Sequence, residues 1–204
     1  LLGPPFDFLK GSLRGELDAL WLGFCTACSR SVLRFVICAL FAFKMASLMR
    51  VCFVVSAALM IAAMSVEGLL GTDRVFISEL HEPLRAHPGQ AASAARMLET
   101  LKDSGIVASH LHNDDRVQDA YSLRCAPQVA GAVRDTVEYA ATVALRELSA
   151  VIDNPVVLDD GRISSNGNFH GAPVAYVLDF LAIDLAQTCQ LDQQIQDARL
   201  SFLE

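Results

Sequence analysis

A chain of 204 residues is long enough to bury one good core or two small ones. Its 23 acidic against 16 basic side chains, a net charge of -7, argue against a nucleic-acid partner, which needs a clustered basic face. Six cysteines, at 25, 28, 38, 52, 125 and 189, are scattered through mostly apolar runs; that excludes a dense secreted disulfide scaffold and points to a reducing, cytoplasmic setting.

The first 60 residues differ from the rest. They carry Lys10, Arg14, Arg30, Arg34, Lys44 and Arg50, whereas the acidic residues lie mainly beyond Val66. The apolar stretch from Leu33 onward resembles a membrane segment, but its longest charge-free run, Val51 to Val66, has 16 residues, short of the roughly 20 needed to cross a bilayer. Each upstream charge costs about 2.5 to 3.5 kcal/mol at mid-bilayer, so a buried core helix explains the run equally well and a membrane partner is not expected. The run also lies too far from the first residue for a signal peptide. Cys25 and Cys28 form a CxxC without a second Cys or His pair at zinc-finger spacing, so no metal site is expected.

From about residue 60 the pattern becomes one of amphipathic helices and polar turns. Ser65 with Gly71 and Thr72 brackets a short helix. His87-Pro-Gly-Gln opens a second, whose apolar residues Ala91, Ala94, Ala95, Leu98 and Leu101 recur at helical spacing until Ser104-Gly105. Ile106 to Tyr121 has no period and reads as a loop. After Pro127, the series Val129, Val133, Val137, Ala141, Ala144, Leu148 and Ile152 predicts one long helix ending before Asn154-Pro155. Two β-prone runs around Asp160-Gly161 predict a hairpin near residues 156–164. Pro173 starts another long apolar helix through Tyr176, Leu178, Phe180, Leu181 and Leu185. The expected fold is mainly α with one small β-hairpin.

Chemistry concentrates in Arg116 to Gln128, RVQDAYSLRCAPQ. Arg124 can hold a carboxylate by two parallel hydrogen bonds, with Gln118 and Tyr121 near enough to line the same pocket. On spacing alone the plainer reading, a surface ion pair for Arg124 and a packed Tyr121, is the more frequent one. A second candidate is the loop Ser164 to Gly171, whose glycines allow close approach of a ligand and which carries Asn168, Phe169 and His170. There His170 is a general base, a helix cap or a buried hydrogen-bonded ring.

RVQDAYSLRCAPQV and SAVIDNPVVLDDGRISSNGNFHGAPVA, with MSVEGLLGT and HPGQ upstream in the same order, resemble the histidine ammonia-lyases of the aromatic amino-acid ammonia-lyase superfamily. The resemblance covers about residues 61–186; residues 1–60 and the tail 187–204 depart from it. It implies a fragment of a long-helix bundle, with Arg124 on the substrate α-carboxylate, Tyr121 at the reacting centre aiding proton transfer, Gln118 in polar contact, and Phe169 beside the cofactor. That cofactor is 4-methylidene-imidazol-5-one (MIO), an electrophile made autocatalytically from an internal Ala-Ser-Gly. The activity implied is elimination of ammonia from L-histidine to give trans-urocanate in histidine catabolism. A cytoplasmic homotetramer with sites shared between subunits is implied as well.

The departures limit this expectation. The 204 residues contain no Ala-Ser-Gly, the nearest strings being Ala46-Ser47-Leu48, Ala92-Ser93-Ala94 and Ala108-Ser109-His110. The family's loop tyrosine, the asparagine of its Leu-Asn-Gly-Thr and its Gln-Glu-Asp-His are absent too, so the chain is expected to be an inactive fragment. Three other readings stay open: a phenylalanine or tyrosine ammonia-lyase or aminomutase fragment, a non-catalytic helical partner of a full-length lyase, and a small membrane protein anchored by residues 31–66.

Overall fold

A computed structural model describes residues 50–51, 53–112, 114 and 116–203. The Cys25–Cys28 pair and the apolar segment up to residue 49 lie outside the described residues. Helix α1, Phe53–Gly68, runs straight through residue 60. The change of composition there is therefore not a change of secondary structure, and the short helix expected around Ser65 is the end of a longer one. The reason lies in its burial: Val55, Leu59, Ala62, Ala63 and Val66 all face the core, a stripe at three-to-four spacing.

Helix α1 ends in a turn that closes on itself. Leu70 takes a positive φ of 53°, Leu70 N–H donates to Glu67 O and Gly71 N–H donates to Val66 O. These are the two bonds by which a left-handed residue terminates a helix. Two 3-10 turns follow, Arg74–Phe76 and Ser78–Leu80. The first drives Phe76 into the core at 1% exposure, an apolar burial contributing about 1.5 to 3 kcal/mol.

Helix α2 is Pro88–Leu101. Its buried face is Gln90, Ser93, Ala94, Met97 and Leu101, rotated by about one residue from the stripe expected at Ala91, Ala94, Ala95, Leu98 and Leu101. An alanine-rich helix carries too little contrast between its faces to fix the rotation, and a buried hydrogen bond decides it instead. Gln90 Nε2 donates to His81 Nδ1 at 2.9 Å, and His81 Nε2 donates to Val75 O at 3.0 Å. Both nitrogens of a ring only 2% exposed are thus satisfied.

Ser104-Gly105 begins a helix instead of ending one. Asp103 turns the chain with φ 60°, and the Ser104 hydroxyl accepts from Val107 N–H, capping α3, Gly105–Ser109. The same hydroxyl donates to Glu67 Oε1 at 2.5 Å. The segment 106–121, expected to be a loop throughout, therefore holds one helical turn too short to show a period.

A single turn, α4, Tyr121–Arg124, leads into α5, Ala126–Ser149. Val133, Val137 and Ala141 are buried as the periodicity requires, but the helix stops at Ser149 and leaves Leu148 and Ile152 exposed. Val156–Val157 (β1) and Ile163–Ser164 (β2) pair antiparallel, Val156 with Ser164 and Val157 with Ile163. Gly161 sits at φ 81° where the turn needs a left-handed residue. The hairpin and the mainly α architecture agree with the expectation.

Helix α6, Ala172–Leu203, packs antiparallel to α5. Val177 shares a cluster with Ala140 and Val143, Asp184 lies beside Thr136, and Leu191 and Ile195 join the main core with Leu123. The buried or half-buried positions 177, 181, 184, 188, 191 and 195 alternate steps of four and three, the spacing of a coiled-coil seam. Apart from the half-buried Leu181, the residues that marked this helix in sequence lie off that seam: Tyr176, Leu178 and Phe180 are half or more exposed, and Leu185 is 41% exposed. Ala172–Asp197 is long and apolar enough to cross a membrane, a test that the core helix of a soluble protein also passes.

The two glycines Gly89 and Gly131 bring α2 and α5 into backbone contact. A Cβ on Gly131 would lie 2.4 Å from Gln90 Cα, and one on Gly89 would lie 2.2 Å from Gly131 O. Asp135 Oδ1 accepts from Gly89 N–H at 2.8 Å, setting a carboxylate on the first turn of α2 where the helix dipole favours it.

Gly131→Ala must push α2 off α5 and is expected to lower unfolding stability by about 1 to 3 kcal/mol, read from the urea midpoint. Burial pushes the Asp184 carboxyl above its ordinary value of 3.8, with the Thr136 hydroxyl pulling the other way. A carboxyl raised in the folded state leaves stability intact below its unfolded pKa and lowers it as pH rises through the folded pKa. Asp184→Asn should therefore raise the melting temperature at pH 7 and leave it unchanged near pH 3.

Candidate functional site

The four candidate residues fall at two ends of the molecule. Tyr121 and Arg124 open and close α4, three residues apart on one face, as helical neighbours are. The turn is held in place by Ser122 and Leu123, 4% and 2% exposed, so Tyr121 is left 68% exposed. Gln118 lies in the exposed approach to this turn. Phe169, by contrast, precedes α6 and is 61% exposed. Its neighbour Asn168 donates Nδ2–H to Val151 O at 3.3 Å, just past the far end of α5. The 24 residues of α5 at 1.5 Å each put about 36 Å between the two ends. Within one chain Phe169 does not meet Tyr121, Arg124 or Gln118.

Arg124 is oriented through one edge only. Its Nε–H donates to the main-chain oxygen of Asp119 at 2.9 Å, and its two terminal nitrogens have no partner among the described residues. That is the half of a guanidinium that makes two parallel bonds to a carboxylate. The side chain of Asp119 is directed elsewhere: Oδ2 accepts from Thr72 N–H at 2.7 Å, and Oδ1 lies 3.7 Å from Arg116 Nη1.

The turn after α1 is thus gripped from three sides. Arg116 donates Nη1–H to Leu69 O at 2.7 Å and Nη2–H to Leu70 O. His110 Nε2 donates to Gly71 O at 3.0 Å, and Asp119 takes the Thr72 N–H. A Cβ on Gly71 would lie 3.1 Å from Asp119 Oδ2 and 3.1 Å from Val66 Cγ1, so a glycine lets the carboxylate approach. Arg116 also bonds Asp114 through Nε and Nη2. Those hydrogen bonds hold the Asp114 carboxyl below its ordinary value and raise Arg116 further. Arg116 is thus a structural clamp on the carbonyl end of α1.

At the other end, asparagines tie two loops together. Asn154 Oδ1 accepts from Ser165 Oγ–H at 3.1 Å and Asn166 N–H at 2.9 Å, and Asn166 donates Nδ2–H to Asp153 O at 2.8 Å. His170 Nδ1 accepts from Ala172 N–H, the first amide of α6, at 3.3 Å. Among the described residues no three His, Cys, Asp or Glu side chains converge as metal ligands.

Asp119 and Thr72 were not singled out by spacing. The available signal was the joint presence of GLLGT and QD, two motifs 47 residues apart in sequence that meet in one hydrogen bond.

The aromatic amino acid lyase family model matches residues 38–200. Histidine ammonia-lyase of Streptomyces coelicolor is 61% identical over 139 residues, 68% of this chain and 27% of that protein. The chain therefore spans about a quarter of the length of the curated relatives it matches. Among solved structures, tyrosine aminomutase of Streptomyces globisporus superposes with a TM-score of 0.65 at 32% identity, over 73% of this chain and 32% of that one. Phenylalanine ammonia-lyase of Rhodosporidium toruloides gives 0.64 at 28%, over 72% and 22%.

Arg116→Met leaves the Leu69 and Leu70 carbonyls without their charged donor. The expected loss is about 1.5 to 3 kcal/mol, the range for hydrogen bonds to charged groups, measured by urea unfolding.

Proposed function

The chain belongs to the aromatic amino acid lyase family, and on that premise we propose that the Tyr121–Arg124 turn is the substrate-carboxylate end of a histidine ammonia-lyase site. The observation that carries the reading is the Arg124 guanidinium, anchored through Nε, with its terminal nitrogens meeting neither backbone nor carboxylate among the described residues. Arg124 binds the α-carboxylate of L-histidine by two parallel bonds. The exposed Tyr121 hydroxyl, one helical turn away, moves a proton at the reacting carbon, and Gln118 adds a polar contact. The whole protein's activity on this reading is conversion of L-histidine to trans-urocanate and ammonia in the cytoplasm. The 61% identity to a histidine ammonia-lyase, against 32% and 28% to the aminomutase and phenylalanine enzymes, supports histidine over the other aromatic amino acids.

The MIO group has no precursor within these 204 residues: Ala-Ser-Gly is missing, and the candidate site offers carboxylate-binding and proton-transfer groups but no residue of that chemistry. No step through the cofactor follows from these residues. Phe169, about 36 Å from Tyr121 along α5, serves a site only beside another copy or another segment. A homotetramer with shared sites accounts for this, and the exposed Tyr176, Phe180 and Ile183 of α6 are suited to helix packing between copies. The same exposed stripe favours a second reading, a non-catalytic partner of a full-length lyase, tested by co-purification.

The purified chain is expected to bind L-histidine, and Arg124→Met to weaken binding about 10- to 100-fold, the loss of a charge-assisted pair, by calorimetry. No trans-urocanate should form, because binding without an electrophile leaves the barrier in place; ultraviolet absorbance of the conjugated acid checks it.

A further inference from the structure

The hydrogen bonds around Asp119 join the turn after α1 to the guanidinium of Arg124. From this juxtaposition we infer that Asp119 is a positioning residue: its carboxylate, seated on Thr72 N–H, holds its own main-chain oxygen where it fixes the plane of Arg124. The inference rests on reading Arg124 as the carboxylate binder, and it goes beyond that reading by giving the reason Arg124 is ready to bind.

Arginine is a long side chain, and holding a carboxylate by two parallel bonds requires most of its torsions to be fixed. A guanidinium held at Nε has its plane defined, and its two terminal nitrogens then face one direction. In this chain the acceptor for Nε is the oxygen of Asp119, at 2.9 Å. A main-chain oxygen in an exposed approach loop makes a stable anchor only if the residue carrying it is itself held. Asp119 is held: its side chain is 6% exposed, Oδ2 accepts from Thr72 N–H at 2.7 Å, and Oδ1 faces Arg116 Nη1 at 3.7 Å. Gly71 leaves the space that the carboxylate occupies.

The chain of contacts therefore runs from the end of α1, through Asp119, to Arg124. It converts a flexible side chain into a preorganised fork, which lowers the entropic cost of binding. Asp119 touches no substrate on this account.

The experiment titrates the full chain with L-histidine and with histamine, which has the same ring and amine but no carboxylate. Wild type should prefer L-histidine, and Arg124→Met should abolish the preference. Asp119→Ala should reduce it about tenfold, the effect of freeing one long side chain, with histamine binding unchanged. Asp119→Asn keeps an oxygen for Thr72 N–H and should restore most of the preference. If Arg124→Met abolishes the preference while Asp119→Ala leaves it at the wild-type value, the positioning role is wrong.

A wild type without any preference sinks the carboxylate reading and leaves the anchoring to be decided separately. The ¹⁵N signal of the Arg124 Nε–H decides it without ligand. It should be protected from exchange in wild type and Asp119→Asn and exchange freely in Asp119→Ala. An unchanged signal in a folded Asp119→Ala protein overturns the inference.

Discussion

The backbone contact between α2 and α5 at Gly89 and Gly131 is the constraint on which the other packing depends. Close approach there needs two residues without a Cβ, and it places Asp135 within reach of the first amide of α2. Once α2 is seated, Gln90 is brought to His81, and Met97 and Leu101 meet Phe76 and α1 in one core. A side chain at either glycine would meet main-chain atoms, which cannot be moved aside like a rotamer. The long helix α5 is thereby fixed, and with it the single turn that precedes it and carries Tyr121 and Arg124.

The site end is built from a different kind of contact. Here the core contributes Leu123 as a peg, while the orientation comes from polar groups: Arg116 on the carbonyls of the α1 turn, His110 on Gly71, and Asp119 on Thr72. These bonds join segments 39 to 47 residues apart in sequence. They explain why a short stretch rich in charged side chains can be rigid. Most of its charges are used within the fold, and among the described residues the terminal nitrogens of Arg124 meet no partner. Rigid support with a guanidinium unpaired among the described residues is what the proposed carboxylate capture requires.

Helix α6 bears on how much of a site one chain can hold. Its seam against α5 follows a strict alternation of four and three, yet Tyr176, Leu178, Phe180 and Ile183 remain exposed. Helix α6 is therefore apolar on more than one face. Phe169 and Tyr121 stand at opposite ends of this same pair of helices.

Read without coordinates, the chain determined its class of fold, the long helix after Pro127, the hairpin around Asp160-Gly161, and the residues Gln118, Tyr121, Arg124 and Phe169 as candidates. These features are local: helical period, turn chemistry and contiguous motifs are written in neighbouring residues. Tertiary structure decided the rest. It set the rotation of the alanine-rich α2, the single turn of α3, the continuity of α1 across residue 60, the structural duty of Arg116, and the distance between Phe169 and Tyr121. Each of these depends on a partner far away in sequence, as Gln90 does on His81 and Asp119 on Thr72. No local pattern encodes such a pairing, because the energy that selects it exists only once both segments are in place.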